Sequence, residues 1–271
     1  DRTVLNLYYK WMGKKIVITA HNVNAGQRDG NDSFLNRLTL SIMYSIADHI
    51  IVHTEKMKKQ LIKDFHIDSK NITVIPHGIN NVVPKTELTS RDARTKLRVR
   101  RDAKIVLFFG NILKYKGLEY LIEALGILRQ ENQDITLLIA GRNELAPDYW
   151  KGIQEQINTA GLHDNIITVT RFIRDEEIEI YFKAADVMAL PYTHIFQSGV
   201  LFVSYAFGLP VIATDVGSLK EDIIEGITGY LCKPENAKDL AVKIRNYFDS
   251  ELYRDLNNNR RWIENWSKNK Y

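Results

Sequence analysis

Cysteine is almost absent from this sequence: Cys232 is the single one in 271 residues. Neither a disulfide framework nor a multi-cysteine metal centre is therefore available, and a reducing compartment fits. No signal peptide opens the chain. No apolar run is long enough to span a membrane; the most apolar stretch, 199–213, is interrupted by Ser204, Gly208 and Pro210 and reads as a buried helix running into a buried strand. The cytoplasm is the expected location. The basic residues Arg91, Arg94, Lys96, Arg98, Arg100 and Arg101 cluster without interleaved aromatics, so nucleic acid is not expected as a partner. Nor does the chain hold a Gly-x-Ser-x-Gly elbow, an Asp-x-Asp flanked by apolar residues or a His/Cys cluster with ligand spacing, so no metal is expected.

What is present is ordinary globular material. A hydrophobic share of 45% against 26% charged residues is enough for a sizeable core. The formal net charge of +4 is the mark of a solvated surface, with room for peripheral contact at the inner, anionic face of a membrane.

Short β-rich runs alternate with helical patterns, which predicts an α/β fold with parallel sheets covered by helices. The strands are expected at 16–20, 49–53, 73–75, 105–109, 136–140, 166–169, 187–190 and 211–214, several of them apolar throughout, as strands buried on both faces are. Thr54 is placed to cap a helix over 55–65, with Glu55, Lys58 and Lys59 outward. Residues 117–130 carry Leu118, Leu121, Ile122 and Leu125 at helical spacing. Asp175, Glu176 and Glu177 open a helix ending near Ala185, where its dipole favours acids.

The polar stretch 80–104, with Pro84 and the basic cluster, breaks this rhythm and reads as a linker followed by a surface helix. The division expected is a partial N-terminal domain over 1–82, a linker and surface helix over 83–103, a ligand-binding domain over 104–258 and the start of a C-terminal helix over 259–271. Only about three strands precede the linker, too few for a covered sheet. The first residue is Asp1 rather than Met, and Tyr271 ends an aromatic, helix-like segment, so both ends are expected to lie inside a longer chain.

Three segments carry candidate chemistry. In the segment from Gly110 through Asn111, Tyr115 and Lys116 to Gly117, a buried strand passes into a helix, so that backbone N–H groups and a lysine can face an anion. A plain turn with a surface lysine remains the alternative. Pro191-Tyr192, followed by Gln197-Ser198-Gly199-Val200, again leads a strand end into a helix, with unpaired first-turn amides or an ordinary Ser cap as the two readings. The third runs from Pro210 to Ser218, a buried strand with a small-residue loop at its carboxyl end, the edge where open α/β sheets bind ligands.

Taken in order with Ala184-Ala185-Asp186-Val187, Gly208-Leu209-Pro210, Gly217, Glu221, Gly226 and Thr228-Gly229, these residues closely resemble retaining glycosyltransferases of family four. The resemblance runs from about Lys14 to about Phe248. It implies the GT-B fold, two facing Rossmann-like domains, with a nucleoside-diphosphate sugar bound mainly by the second and a sugar passed to an acceptor hydroxyl with retention. The acceptor would be a glycan, a lipid or a small molecule, as in polysaccharide biosynthesis, and no cofactor or metal would take part. By matching position, Gly110 and Lys116 fall on the diphosphate loop, Asn111 stands where the family has an arginine, Ile173 lies in the nucleobase loop, and Gln197, Ser198, Gly199 and Val200 form the phosphate-facing turn. His21, in Thr19-Ala20-His21-Asn22, matches a histidine that faces the donor sugar; a satisfied loop histidine is the other reading. His21 and Lys116 are thus the candidate catalytic pair.

Three departures, at Asn111, Ile195 and Val203, count against simple transfer. The family's paired glutamates fall on Ile195 and Val203, so a non-catalytic sugar-nucleotide-binding homologue supporting an active partner is the alternative. His49 and His53 would share one strand face about 13 Å apart, too far for one metal. Asp175 to Glu177 read as helix-start charge, and Cys232 has no marked histidine partner.

Overall fold

The structure is a computed structural model and describes residues 2–28, 32–76, 78 and 83–270. Two compact units are found. One comprises residues 1–77 with 194–197, the other 78–193 with 198–271. Residues 80–82, at the opening of the expected linker, lie outside the described residues.

The first unit contains α1 (Arg2–Trp11), β1 (Val17–Thr19), α2 (Ala25–Arg28), α3 (Phe34–Ile46), β2 (His49–Val52), α4 (Glu55–Phe65) and β3 (Ile72–Val74). Its three strands form a parallel sheet in the order β1-β2-β3. Thr54 caps α4, its hydroxyl accepting from Met57 N, and His66 ends the helix in the left-handed conformation. Met57 and Leu61 then face Ile50, Val52 and Ile72 in the buried cluster of this unit. Glu55 and Lys59 are exposed as expected, whereas Lys58 is half-buried.

The second unit holds α5 (Ser90–Lys96), β4 (Lys104–Phe109), α6 (Leu118–Gln130), β5 (Ile135–Ala140), α7 (Pro147–Thr159), β6 (Ile166–Val169), α8 (Asp175–Ala184), β7 (Val187–Leu190) and α9 (Gly199–Ala206). After these come β8 (Val211–Thr214), α10 (Leu219–Asp222), β9 (Gly229–Cys232), α11 (Ala237–Asp249), α12 (Glu251–Arg254) and α13 (Leu256–Lys270). The six strands are all parallel, in the order β6-β5-β4-β7-β8-β9. Leu118, Leu121, Ile122 and Leu125 of α6 are buried on one face of this sheet, with Ile153 and Ile157 of α7 and Leu240 and Ile244 of α11. Each such side chain contributes roughly 1.5–3 kcal/mol when fully covered.

The order of strands positions the site. From β4 the chain moves outward through β5 to β6, then returns to lay β7 against the other side of β4. The chain leaves β4 and β7 in opposite directions across the sheet, and the carboxyl ends of these two strands are the switch point at which such sheets bind ligands.

Two expectations need correction. Strand β9 went unread, because its four residues open on Gly229 at φ 157° and show no alternation to mark a strand. The helix carrying the basic cluster is not a surface helix throughout. Arg94 is buried: its Nε donates to Ala184 O at 3.0 Å, Nη1 to Ala103 O at 3.0 Å and Nη2 to Asp186 Oδ1 at 2.8 Å. The other carboxylate oxygen of Asp186 accepts from Ile105 N at 2.8 Å. The pair thus ties α5 and the amino ends of β4 and β7 together. Burial pushes the Asp186 carboxyl above its ordinary range, against the pull of Arg94.

Removing one member of such a pair strands the other charge in the interior. Arg94→Leu and Asp186→Leu are each expected to lower unfolding stability by roughly 3–5 kcal/mol. In urea titrations the double variant should lose clearly less than the sum of the two. Small, additive losses would show that the pair is not a clamp.

Candidate functional site

Strand β4 ends at Gly110, whose N–H donates to Ala140 O at 2.9 Å, so the sheet ladder continues to the loop itself. At φ 98° Gly110 sits in the left-handed region, where a side chain is strained. A Cβ there would stand 2.7 Å from Lys116 Nζ and 3.9 Å from Val200 Cγ2. The glycine thus makes room for an ammonium, and the same measurement brings Gly110, Lys116 and Val200 into one place.

Lys116 lies in a single helical turn, 114–116, and Gly117 at φ 65° turns the chain into α6. A Cβ on Gly117 would collide with Pro191 O. The loop after β4 is also bonded to the loop after β7, Thr193 N donating to Tyr115 O at 2.8 Å. These contacts fold Lys116 inward, leaving it 7% exposed while Lys114 is exposed. Lys116 Nζ donates to Phe109 O at 3.3 Å and lies 5.8 Å from the Tyr192 ring centroid and 6.0 Å from that of Phe108. Among the described residues no carboxylate pairs with it. Loss of water around the buried ammonium pulls its pKa from 10.5 down to about 8.

Helix α9 starts beside this group. Ser198 precedes it without giving a side-chain cap; its hydroxyl lies 3.3 Å from the Tyr192 hydroxyl instead. The ordinary Ser-cap reading is thereby set aside. Gly199 is exposed, and a Cβ on it would meet nothing within 4 Å. The first-turn amides of a helix without a cap are a standing site for an anion. Gln197 belongs to the first unit, where its buried Oε1 makes no hydrogen bond to any described residue.

Sequence reasoning missed Arg142. It follows β5 by two residues, and its Nε donates to Asn111 Oδ1 at 3.2 Å while its guanidinium carbon lies 5.4 Å from the Phe172 ring centroid. No carboxylate among the described residues pairs with it. Ile173, next to Phe172, is buried. In strand order the β5 edge that carries Arg142 lies between the β4 loop with Lys116 and the β6 loop with Ile173. Only the parallel register of β4 and β5 reveals this, because Arg142 stands 31 residues from Asn111 in the chain.

Glu177 is drawn down to about 2 by Arg171, 2.6 Å away, and also bonds Arg174. It closes the first turn of α8. Cys232 is buried against Ala213 O, and its thiol is pushed up to about 12 by burial. Ile195 is buried and Val203 half-buried; neither supplies a carboxylate. His49 bonds the Thr73 hydroxyl at 2.8 Å and His53 falls just past β2. His21 belongs to the first unit, exposed beyond the end of β1 with His53 Nε2 3.0 Å from its Nδ1. Among the described residues no three His, Cys, Asp or Glu side chains are gathered so as to hold a metal ion, and no helix is long and apolar enough to cross a membrane.

Known proteins share this arrangement. The model of the family described as "Glycosyl transferases group 1" matches residues 89–268, and that of "Glycosyltransferase Family 4" matches residues 3–81. The D-inositol 3-phosphate glycosyltransferase of Paenarthrobacter aurescens is 31% identical over 211 residues, covering 77% of this chain and 51% of that protein. The chain spans about half the length of the curated relatives it matches. Among solved structures, HepE from Anabaena, in complex with UDP and glucose, superposes with a TM-score of 0.84 at 20% identity over 99% of this chain and 70% of that one. Sucrose-phosphate synthase from Thermosynechococcus elongatus gives 0.79 at 24% identity, covering 92% and 63%. The fold expected from the resemblance, GT-B, is therefore the fold found.

A buried, unpaired ammonium costs stability until an anion joins it. Its pKa is lower folded than unfolded, so below about pH 8 both states carry the charge and the folded one bears the full cost. As pH rises from about 8 to 10.5 the folded state sheds the proton first and the cost disappears. Lys116→Met is expected to stabilise the ligand-free protein at neutral pH by up to about 3 kcal/mol, an advantage that fades over that window. Denaturation midpoints followed against pH check this, and a constant or absent advantage would contradict it.

Proposed function

Since the chain belongs to the glycosyl transferases group 1 family, we propose that it binds a nucleoside-diphosphate sugar at the carboxyl ends of β4 and β7 and transfers the sugar to an acceptor hydroxyl with retention of configuration. The observation that carries this reading is Lys116, a buried ammonium without a counter-ion among the described residues, set over Gly110 and beside the uncapped start of α9. Such a place favours a compact dianion. It favours still more the diphosphate that departs as the glycosidic bond breaks, because its charge is then growing.

The residues divide the work as follows. Lys116 and the amides of Ser198, Gly199 and Val200 stabilise the leaving diphosphate. Arg142, held by Asn111 Oδ1, supplies the second positive charge that Asn111 cannot supply itself. The loop at Ile173 meets the nucleobase through its backbone, and His21 contacts a hydroxyl of the sugar substrate. Charge stabilisation comes from these fixed groups, so the reaction runs without a metal ion. A nucleotide is favoured as donor by the relatives in whose structures UDP is bound. Thermal-shift titration with UDP-, GDP- and ADP-sugars identifies the base, since stabilisation grows with affinity.

In the full-length protein, Lys116→Ala should lower kcat on the order of 100- to 1,000-fold with folding intact. Arg142→Ala should weaken donor binding, seen as a raised KM. Lys114→Ala serves as the control, since an exposed lysine is worth within about 0.5 kcal/mol. Equal, small effects at 114 and 116 would remove the physical support for the site. Treatment with EDTA should leave turnover unchanged; silencing by EDTA and recovery with manganese would overturn the metal-free mechanism. The anomer of the first-formed product, read by proton NMR, decides retention.

A further inference from the structure

The parallel register of the first sheet aligns three groups past the strand ends. β1 pairs with β2 with Thr19 opposite Ile51, so two residues on His21 comes opposite His53. β2 pairs with β3 with Val52 opposite Val74, so the next step sets His53 opposite Ile75. The backbone ladder reaches these positions, with Ala20 N donating to Ile51 O and Ile75 N to Val52 O, both at 2.8 Å. The two imidazoles stack with centroids 5.0 Å apart and planes at 28°, about the spacing of neighbouring strands. His53 Nδ1 lies 2.9 Å from Ile75 O, and His53 Nε2 lies 3.0 Å from His21 Nδ1.

These distances determine where the protons sit. A carbonyl oxygen only accepts, so His53 Nδ1 carries a proton and donates it to Ile75 O. A neutral imidazole has one N–H, which leaves His53 Nε2 an acceptor. His21 Nδ1 must then donate to it, and His21, neutral in turn, keeps a bare Nε2. That nitrogen makes no hydrogen bond to any described residue, and His21 is exposed.

We propose that His53 is a positioning residue: anchored on Ile75 O, it holds His21 in the Nδ1–H tautomer and so presents His21 Nε2 as a hydrogen-bond acceptor to a hydroxyl of the sugar substrate. The contact with substrate rests on the role given to His21 above; the tautomer does not. A free imidazole in water prefers the Nε2–H form, so the relay reverses an intrinsic preference, and that reversal is measurable.

The test combines histidine 15N spectra of this chain, taken above the ordinary imidazole titration range, with two substitutions. Wild type should show His21 with a pyrrole-like Nδ1 and a pyridine-like Nε2. His53→Phe keeps a stacking ring but removes the acceptor, and His21 should move to the Nε2–H form. His53→Gln restores an acceptor oxygen and should retain the wild-type tautomer. In the full-length protein, His53→Phe should lower kcat on the order of 10- to 100-fold, by analogy with the loss of the outer hydrogen-bond partner of a metal-bound histidine, with donor KM little changed and with recovery in His53→Gln. A wild-type Nε2–H tautomer at His21, or an unchanged spectrum in His53→Phe, would overturn the proposal. Full activity of His21→Ala alongside the expected spectra would instead refute the substrate contact assigned to His21, and the spectra keep those two failures apart.

Discussion

The buried pair of Arg94 and Asp186 holds the second unit where it most needs holding. Asp186 sits at the amino end of β7 and takes the first buried amide of β4 with one oxygen, while Arg94 takes the other oxygen and the carbonyls of Ala103 and Ala184. Tyr247 of α11 adds a bond from its hydroxyl to Asp186 O at 2.6 Å. With their amino ends joined, β4 and β7 are neighbours, Val106 opposite Val187 and Leu107 opposite Met188, and the loops that follow them meet where Thr193 N donates to Tyr115 O. A charge pair in the interior is a weak source of net stability. Its value here lies in specifying which strands are adjacent, and the chemistry at the opposite end depends on that adjacency.

Lys116 is the converse case, a buried charge with no carboxylate partner among the described residues. Arg94 has a carboxylate and carbonyls for its donors, whereas Lys116 has one carbonyl, Phe109 O, and two aromatic faces. The first arrangement is complete within the chain; in the function proposed, an anion completes the second. Small residues maintain the incompleteness: a side chain at Gly110 would displace the ammonium. In the function proposed, the site is thus organised before ligand arrives, and the cost is carried in the resting state, where a fixed positive potential needs no rearrangement during reaction.

The alternation of strands and helices was legible because parallel strands buried on both faces are apolar throughout and their helices carry caps. Thr54 and the leucine face of α6 are examples. The short, glycine-led β9 gave no such signal. Arg94 misled because it stands in a run of basic residues, and nothing local distinguishes an arginine that turns inward from five that remain outside. Resemblance to a family marked Lys116 over Lys114, yet the two differ physically only once Gly117 packs under Pro191 O and folds the turn inward.

What the sequence by itself determined was the class of fold and the absence of the family's arginine at Asn111 and glutamates at Ile195 and Val203. The tertiary structure alone decided the pairings. Arg142 meets Asn111 because β4 and β5 are adjacent, and His53 meets His21 because β1 and β2 run parallel in a register that carries both past their strand ends together. The physical reason is the same for both: a side chain's chemistry is written in its residue type, but its protonation, burial and partner are set by neighbours that lie 31 and 32 residues away in the chain.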